Sequence, residues 1–457
     1  MMQDKETPMD TSEFENDFGT IEVIERESVE YEDLSKLFIT ESGNYSKQFA
    51  KIYTARLSEL SKVLAEKCRK KWKDVKILQL AELADSEEER SIVIGTLFKN
   101  QQWKPSILKQ LCEDDQLPLP AARDDYCGDD DQVFLEDDTS RIKLVGRNVK
   151  REETITGVVC AVLGHQDASS AFQVEDWCFP GCLPQEKRDS ETKGKVVLVS
   201  GLELANVPEN LELNLLVEWL CGMIGDETTQ KEDASIVRVI IAGNSIKGNS
   251  DTHANMGLLG GKALDVAAAK EIAIGTKRMD DLLKDLAQVC CVTVMPGQHD
   301  IATFMLPQKP LHPCMFPESR RYNSVKGATN PWMGRLGNRL ISGTSGQPID
   351  DLIKVSGANN HSPMEWLEKT LDWRHFCPTA PDTLPCYPYH EKDLFIMKDC
   401  PDIYFAGNMN KFETKLWKGD DGQVVRLICV PRFSTTKTVV LVDLKTLETQ
   451  TVSFGTG

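Results

Sequence analysis

Val292-Thr293-Val294-Met295-Pro296-Gly297-Gln298-His299-Asp300 is the stretch on which the reading of this chain turns. Val292–Met295 has the apolar, β-branched character of a buried strand, and Pro296-Gly297 ends it. Three hydrogen-bonding side chains follow at once, at the carboxyl end of the strand, where α/β sheets place their functional groups. Three more predicted strands end the same way. Val196–Val199 runs into Ser200-Gly201-Leu202-Glu203, Val237–Ala242 into Gly243-Asn244, and Ile403–Ala406 into Gly407-Asn408-Met409-Asn410. Each end carries a glycine, which permits a sharp backbone turn. Helical patterns over Leu211–Met223, Met279–Val289 and 363–373 alternate with these strands, and Arg339–Ile341, Val424–Val430 and Thr438–Val442 add further ones. The alternation from Lys195 onward predicts an α/β domain over 195–457. Residues 245–278 and 308–337 read as long loops. His312-Pro313-Cys314 lies in the second, without a partner pair, so packing is preferred there to metal binding.

In order and spacing, the four strand ends resemble the calcineurin-type metallophosphoesterase series Asp-x-His, Gly-Asp, Gly-Asn-His-Asp and Gly-His-x-His. Almost every ligand of that series is replaced. Gly201 and Glu203 stand for the first Asp and His, Asn244 for the second Asp, Gln298 for the third-motif Asn, and Asn408 and Asn410 for the last two His. His299 and Asp300 remain. Two divalent ions about 4 Å apart repel by roughly 17 kcal/mol at an effective dielectric near 20, which a bridging carboxylate normally offsets. Asn244 is neutral, Gly201 has no side chain, and Asn408 and Asn410 lack the imidazole nitrogen that such metals favour. Gly201, Glu203, Asn244, Gln298, His299, Asp300, Asn408 and Asn410 are therefore expected to be vestigial metal-site positions, with no catalytic residue, metal or other cofactor. His299 reads as a loop residue bonded to its neighbours. The alternative is an active metal-dependent phosphodiesterase or nuclease with an atypical site built on His299 and Asp300.

Upstream the pattern changes. Residues 88–182 carry five short strand candidates, Ser91–Phe98, Gln132–Leu135, Arg141–Val145, Gly157–Leu163 and Ala171–Val174, which suit a small Greek-key barrel of the OB type. Gly95 is expected at a bulge or sharp bend, and 99–130 as an insertion punctuated by Pro105, Pro118 and Pro120. Phe98, Phe134, Phe172 and Trp177 could stack nucleotide bases, but Glu136, Asp137, Asp138, Glu175 and Asp176 surround them, so they are expected in core or interface. Pro180–Lys193 has the composition of a linker, and 183–194 joins the two domains. Residues 41–87 form a helical segment. Within it Phe49, Ile52, Tyr53, Leu57, Leu60 and Leu64 repeat at three and four, with Asn44 as the expected N-cap. The helix ends in Lys67, Arg69, Lys70, Lys71 and Lys73, a cluster that fits either a nuclear import signal or the cation preference of a helix C-terminus; the second is favoured.

The whole chain has 457 residues and a net charge of −18. Half of that excess lies in residues 1–40, where 12 acidic residues face 3 basic ones. This tail reads as disordered, or as an acidic peptide that docks on a partner. Tight unassisted nucleic-acid binding needs clustered Lys and Arg, which this balance disfavours. No apolar run approaches the roughly 18 residues of a membrane helix, and MMQDKETPMD lacks the apolar core of a secretory leader. The 14 Cys include no Cys-x-x-Cys. Cys178-x3-Cys182 has no second ligand pair, so zinc is not expected and the thiols are expected reduced.

An OB-like module followed by a phosphoesterase-like fold without ligands resembles the small regulatory subunits, the B type, of replicative DNA polymerases. Tyr45–Leu57, Gly95–Phe98, Lys104–Leu108, Leu135–Leu144, Met295–Asp300, Leu306–Pro317, Gly343–Gln347, Pro378–Tyr387 and Ile403–Asn408 narrow the likeness to the polymerase delta small-subunit family over about 44–457. The resemblance implies an α/β (α+β overall) protein: an N-terminal helix, an OB-fold β-barrel, and a calcineurin-like phosphoesterase β-sandwich flanked by helices. It also implies a non-catalytic nuclear scaffold. Its partners would be the C-terminal module of the delta catalytic subunit and the third, clamp-binding subunit, with weak or indirect DNA contact and no membrane. His375 is the nearest candidate for the lone His that such phosphoesterases place before the last motif.

Overall fold

The computed structural model describes residues 24–39, 48–85, 89–104, 125–186, 192–206, 211–248, 266–357, 361–388 and 391–455. Within the acidic N-terminal segment, residues 24–39 depart from the expected disorder. Strand β1 (Tyr31–Asp33) pairs antiparallel with Leu336, Arg335 and Gly334, and a 3-10 turn over Ser35–Phe38 buries Phe38. The physical reason is backbone pairing, which needs no apolar composition. Tyr31 adds its ring, stacked 3.6 Å from the Arg238 guanidinium. Residues 1–23 and 40–47, with the expected cap Asn44, lie outside the described residues.

Helix α1 (Ala50–Lys71) buries Ile52, Arg56, Leu60, Leu64 and Cys68, one row at i, i+4. It starts later than the periodicity suggests, and Phe49 is exposed. Its basic end is partly structural: Lys67 and Lys71 donate to the carbonyls of Phe179 and Trp177.

Helix α1 packs on a barrel of β2 (Ile77–Leu78), β3 (Ser91–Asn100), β4 (Gln132–Glu136), β5 (Arg141–Val145), β6 (Val159–Gln166) and β7 (Phe172–Cys178). The sheet order is β2-β3-β4-β5-β7-β6, and it closes because β3 pairs with β6 through 91–96 and with β4 through 96–100. Gly95 is not at a bulge. It sits where β3 changes partner, and a Cβ there would lie 2.6 Å from the Glu136 carbonyl oxygen. The register shift falls instead at Leu163/Gly164. Most of the expected insertion, 105–124, lies outside the described residues.

The rest of the chain builds two facing sheets. The elements are β8 (Lys195–Val199), α2 (Leu211–Leu220), α3 (Glu227–Asp233), β9 (Ile236–Ala242), α4 (Val266–Ala287), β10 (Cys291–Met295), β11 (Val325–Gly327) and β12 (Trp332–Leu336). There follow β13 (Arg339–Thr344), α5 (Gln347–Ser356), α6 (Pro363–Asp372), β14 (Ile403–Met409), β15 (Glu413–Lys418), β16 (Val424–Pro431), α7 (Phe433–Thr436), β17 (Thr438–Asp443) and β18 (Thr449–Ser453). One sheet has the order β1-β12-β13-β14-β16-β15, the other β11-β10-β9-β8-β17-β18. Val196, Leu198 and Ile240 from one meet Trp332, Phe405 and Ile428 from the other in a dry inner layer. α2 and α4 cover the outer face of the second sheet; α5, α6 and the barrel cover the first. The loops expected at 245–278 and 308–337 therefore hold the first half of α4 and two strands. The α/β class with N-terminal helix, OB barrel and helix-flanked sandwich is the architecture observed. The first described part of the linker is docked: Gln185 donates to the Val424 carbonyl and accepts from its N–H.

Candidate functional site

Four loops meet at one edge of the sandwich, where β8, β9 and β10 end and β14 kinks. Gly201 and Gly243 take positive φ angles of 63° and 81°, and Glu203, Asn244 and Asn408 do so without being glycine. Gly297 and Gly407 serve a different need, close approach. A Cβ on Gly297 would lie 2.3 Å from the Asn244 nitrogen, and one on Gly407 2.7 Å from the Ala242 oxygen. β14 does not stop at Ala406 as its pattern suggests. It continues to Met409 with a register shift across Gly407-Asn408, which turns Asn408 inward.

Asn408 knits the cluster. Its Nδ2 donates to the Ser345 carbonyl at 2.8 Å and the Ala242 carbonyl at 3.1 Å, while its backbone N–H donates to Ser200 Oγ at 2.8 Å. Its Oδ1 is buried without a hydrogen-bond partner among the described residues and lies 2.9 Å from where a Gly201 Cβ would be. An aspartate carbon skeleton at 201 would collide with it. Asn244 Oδ1 accepts the His299 N–H at 3.0 Å. Asp300 is fully buried and accepts from Ile246 N–H and Gly297 N–H, each at 2.8 Å. Burial pushes its carboxyl up, and those N–H groups oppose the shift. Glu203 forms an ion pair with Lys247 at 3.4 Å, on the partly open side.

The structure thus gathers Gly201, Glu203, Asn244, His299, Asp300 and Asn408. Gln298 and Asn410 are exposed at the margin. The side-chain oxygens of Asn244 and Asp300 are committed to backbone N–H groups, that of Asn408 is sealed in the interior, and Glu203 is engaged by Lys247. Among the described residues no three His, Cys, Asp or Glu side chains form a metal-ligand group. His375 is elsewhere. It is buried, its Nδ1 accepts the Cys377 N–H, and its Nε2 donates to Asp393 at 2.9 Å. His312 is an exposed cap whose Nδ1 accepts the Cys314 N–H, not a packed side chain.

Two further groups escaped the sequence reading. Asn330, Gln308, Ser345 and Gln347 form a buried network beside the cluster, with Asn330 Nδ2 2.6 to 2.8 Å from Gln347 Oε1, Ser345 Oγ and Gln308 Oε1. Three of the four lie in 306–317 and 343–347, stretches whose residue types suggest no particular chemistry. The second is Arg56. Fully buried, it donates to Asp393 at 2.6 Å and to the carbonyls of Gly157, Pro378 and Ala380 at 2.7 to 2.8 Å. It ties helix, barrel and sandwich together. An arginine in the apolar row of α1 was the available signal.

Comparison with known proteins decides the lineage. The chain is 39% identical to DNA polymerase delta subunit 2 of Drosophila melanogaster over 94% of its own length and 98% of that protein. It belongs to the DNA polymerase delta small-subunit family. The small subunit of Arabidopsis thaliana is 38% identical over 94% and 97% of the two chains, and that of Saccharomyces cerevisiae 29% over 90% of each. The family model described as DNA polymerase delta subunit OB-fold domain matches residues 48–177. The family model for the B-type subunits of DNA polymerases alpha and epsilon matches 196–414. All four loops, 200–203, 243–244, 297–300 and 407–410, lie within the second match.

Proposed function

We propose that this chain is the non-catalytic accessory subunit of a nuclear DNA polymerase delta, a scaffold that joins the C-terminal module of the catalytic subunit to the third, clamp-binding subunit during replication and repair synthesis. The observation that carries the non-catalytic reading is Asn408. Its side-chain amide fills the position between the loops and donates to the Ala242 and Ser345 carbonyls while its backbone N–H donates to Ser200, so the loop ends serve as a plug between the two sheets. Family membership supports the polymerase complex and, through replication, the nucleus. Among the described residues no helix is long and apolar enough to cross a membrane. Gly201, Glu203, Asn244, Gln298, His299, Asp300, Asn408 and Asn410 are then relics of a two-metal site, and their present work is to lock the loops.

Co-expression with the C-terminal module of the delta catalytic subunit tests the reading. Stoichiometric co-elution is expected, with any metal on the eluate traceable to the module. A lone protein that ignores the module, and that carries stoichiometric manganese or iron and hydrolyses a generic phosphodiester in a His299-dependent way, would replace the scaffold with an enzyme.

A further inference from the structure

Cys178-x3-Cys182 has no zinc-like partner pair in the sequence, yet the fold gives each of its thiols a thiol neighbour. Cys178, at the end of β7, lies against Cys68 of α1, and both are buried. Cys182, four residues on, is different. Its Sγ is 3.3 Å from Sγ of Cys400, which sits three residues before β14 on the sandwich. Cys400 is buried, but Cys182 is only partly so, and it belongs to a segment with no regular secondary structure. A disulfide needs the sulfurs at about 2.05 Å. An irregular segment can supply the remaining approach more easily than a strand or helix can.

Both pairs hold an activated thiol: the Cys178 thiol is lowered to about 7 by its bond with Cys68, but it is buried, whereas Cys182 is partly open to an oxidant. The hydrogen bond with Cys400, and beyond it the Arg374 guanidinium, outweigh burial and lower the Cys182 thiol from its ordinary value. Arg374 is held there by its own bond from Nε to the Gly181 carbonyl at 2.9 Å. The thiolate, not the thiol, is the nucleophile.

We propose that Cys182 and Cys400 form a reversible redox modification site, a disulfide that staples the exit of the barrel to the sandwich. A hydroperoxide is the oxidant. The Cys182 thiolate attacks its terminal oxygen, the O–O bond breaks, and a sulfenic acid forms with release of an alcohol or water. The Cys400 sulfur then attacks the sulfenic sulfur and loses its proton, and the departing hydroxyl leaves as water. Two thiols are oxidised by two electrons and one peroxide bond is reduced. Exchange with a small thiol such as glutathione restores both. The cross-link reinforces the contact that Gln185 already makes with β16. This proposal stands on the thiol geometry and not on the scaffold reading.

The test uses the full-length chain, a few equivalents of hydrogen peroxide, and non-reducing peptide mapping with intact mass. The expected result is a loss of two hydrogens per chain, a Cys182–Cys400 cross-linked peptide that dithiothreitol reverses, and loss of that peptide in Cys182→Ser. The buried Cys68–Cys178 pair should cross-link several-fold more slowly. In Cys400→Ala, dimedone labelling of Cys182 should rise; if that variant does not fold, Cys182→Ser alone decides. The proposal is overturned if exposed Cys314 oxidises while Cys182 and Cys400 remain thiols, or if Cys68–Cys178 forms first.

Discussion

At the scale of single residues, the most consequential side chain lies far from the loop cluster. Arg56 is buried and makes one bond to Asp393 and three to carbonyls from two domains. Removing one partner of such a pair leaves an uncompensated buried charge on Asp393, which costs about 3–5 kcal/mol. Arg56→Ala is therefore expected to lower unfolding free energy by that order, read by urea denaturation at pH 7. The same pocket makes the protein acid-sensitive. Burial, then the neighbouring Arg56 charge, lower the His375 imidazole from 6.5 to about 4. Its Nδ1 accepts an N–H, which only the neutral ring can do. The unfolded chain binds this proton near pH 6.5 and the folded chain near 4, so stability falls as pH drops through that window, by about 3 kcal/mol from this group. Burial would raise the Asp393 carboxyl, but Arg56 and His375 hold it well below the usual range, which adds a further loss below pH 4. In Arg56→Ala, a protonated His375 gains an unopposed carboxylate, so the loss between pH 6.5 and 4 should shrink. Denaturation curves at closely spaced pH values check both; a flat wild-type profile there would contradict the neutral buried imidazole.

At the scale of elements, the chain was legible where period and burial coincide. β8, β9 and β10 are buried on both faces and read as apolar runs. The four loops were legible because glycines and polar residues follow strands in a fixed order. Other elements hide for identifiable reasons. β12 carries Gly334, whose missing side chain makes room for the Trp332 ring 2.4 Å from its would-be Cβ. β18 exposes polar residues on an edge, so neither face looks buried. α5 buries Gln347 and Asp351, which breaks the apolar period. The loop positions could be named from spacing, but the partners that close them could not. Ser200, Ser345 and the Asn330 network act through carbonyls and amides that no pattern marks. β1 is the clearest case, since acidic composition concealed a segment held by backbone pairing, by Tyr31 over Arg238, and by Phe38 against Phe376 at 5.7 Å. Burying a phenylalanine is worth about 1.5–3 kcal/mol. Removal of residues 1–39 should therefore lower the thermal midpoint and raise dye binding to exposed apolar surface. Unchanged melting would mean that this strap contributes nothing to the sandwich.

At the scale of the whole molecule, charge and shape decide what the barrel can do. A fold often used for single strands needs aromatic faces open to bases and cations for phosphates. Here Phe172 is fully buried, and Phe98 and Phe134 lie under the Arg141 guanidinium at 4.5 and 5.4 Å from the ring centroids. Trp177 is stacked on Phe179 with 3° between the planes and donates its indole N–H to the Asn148 carbonyl. These rings are engaged within the protein, as the acidic neighbours in the sequence suggested. Arg141 itself is neutralised by Glu136. With a net charge of −18, long-range attraction to a polyanion is also missing. The isolated chain is expected to bind a fluorescent single-stranded oligonucleotide no better than micromolar at low salt, and with a shallow salt slope, because few phosphates would be neutralised. Fluorescence anisotropy across a salt series measures both quantities. Nanomolar affinity with a steep slope would overturn this expectation and move the barrel from scaffold to DNA-binding module.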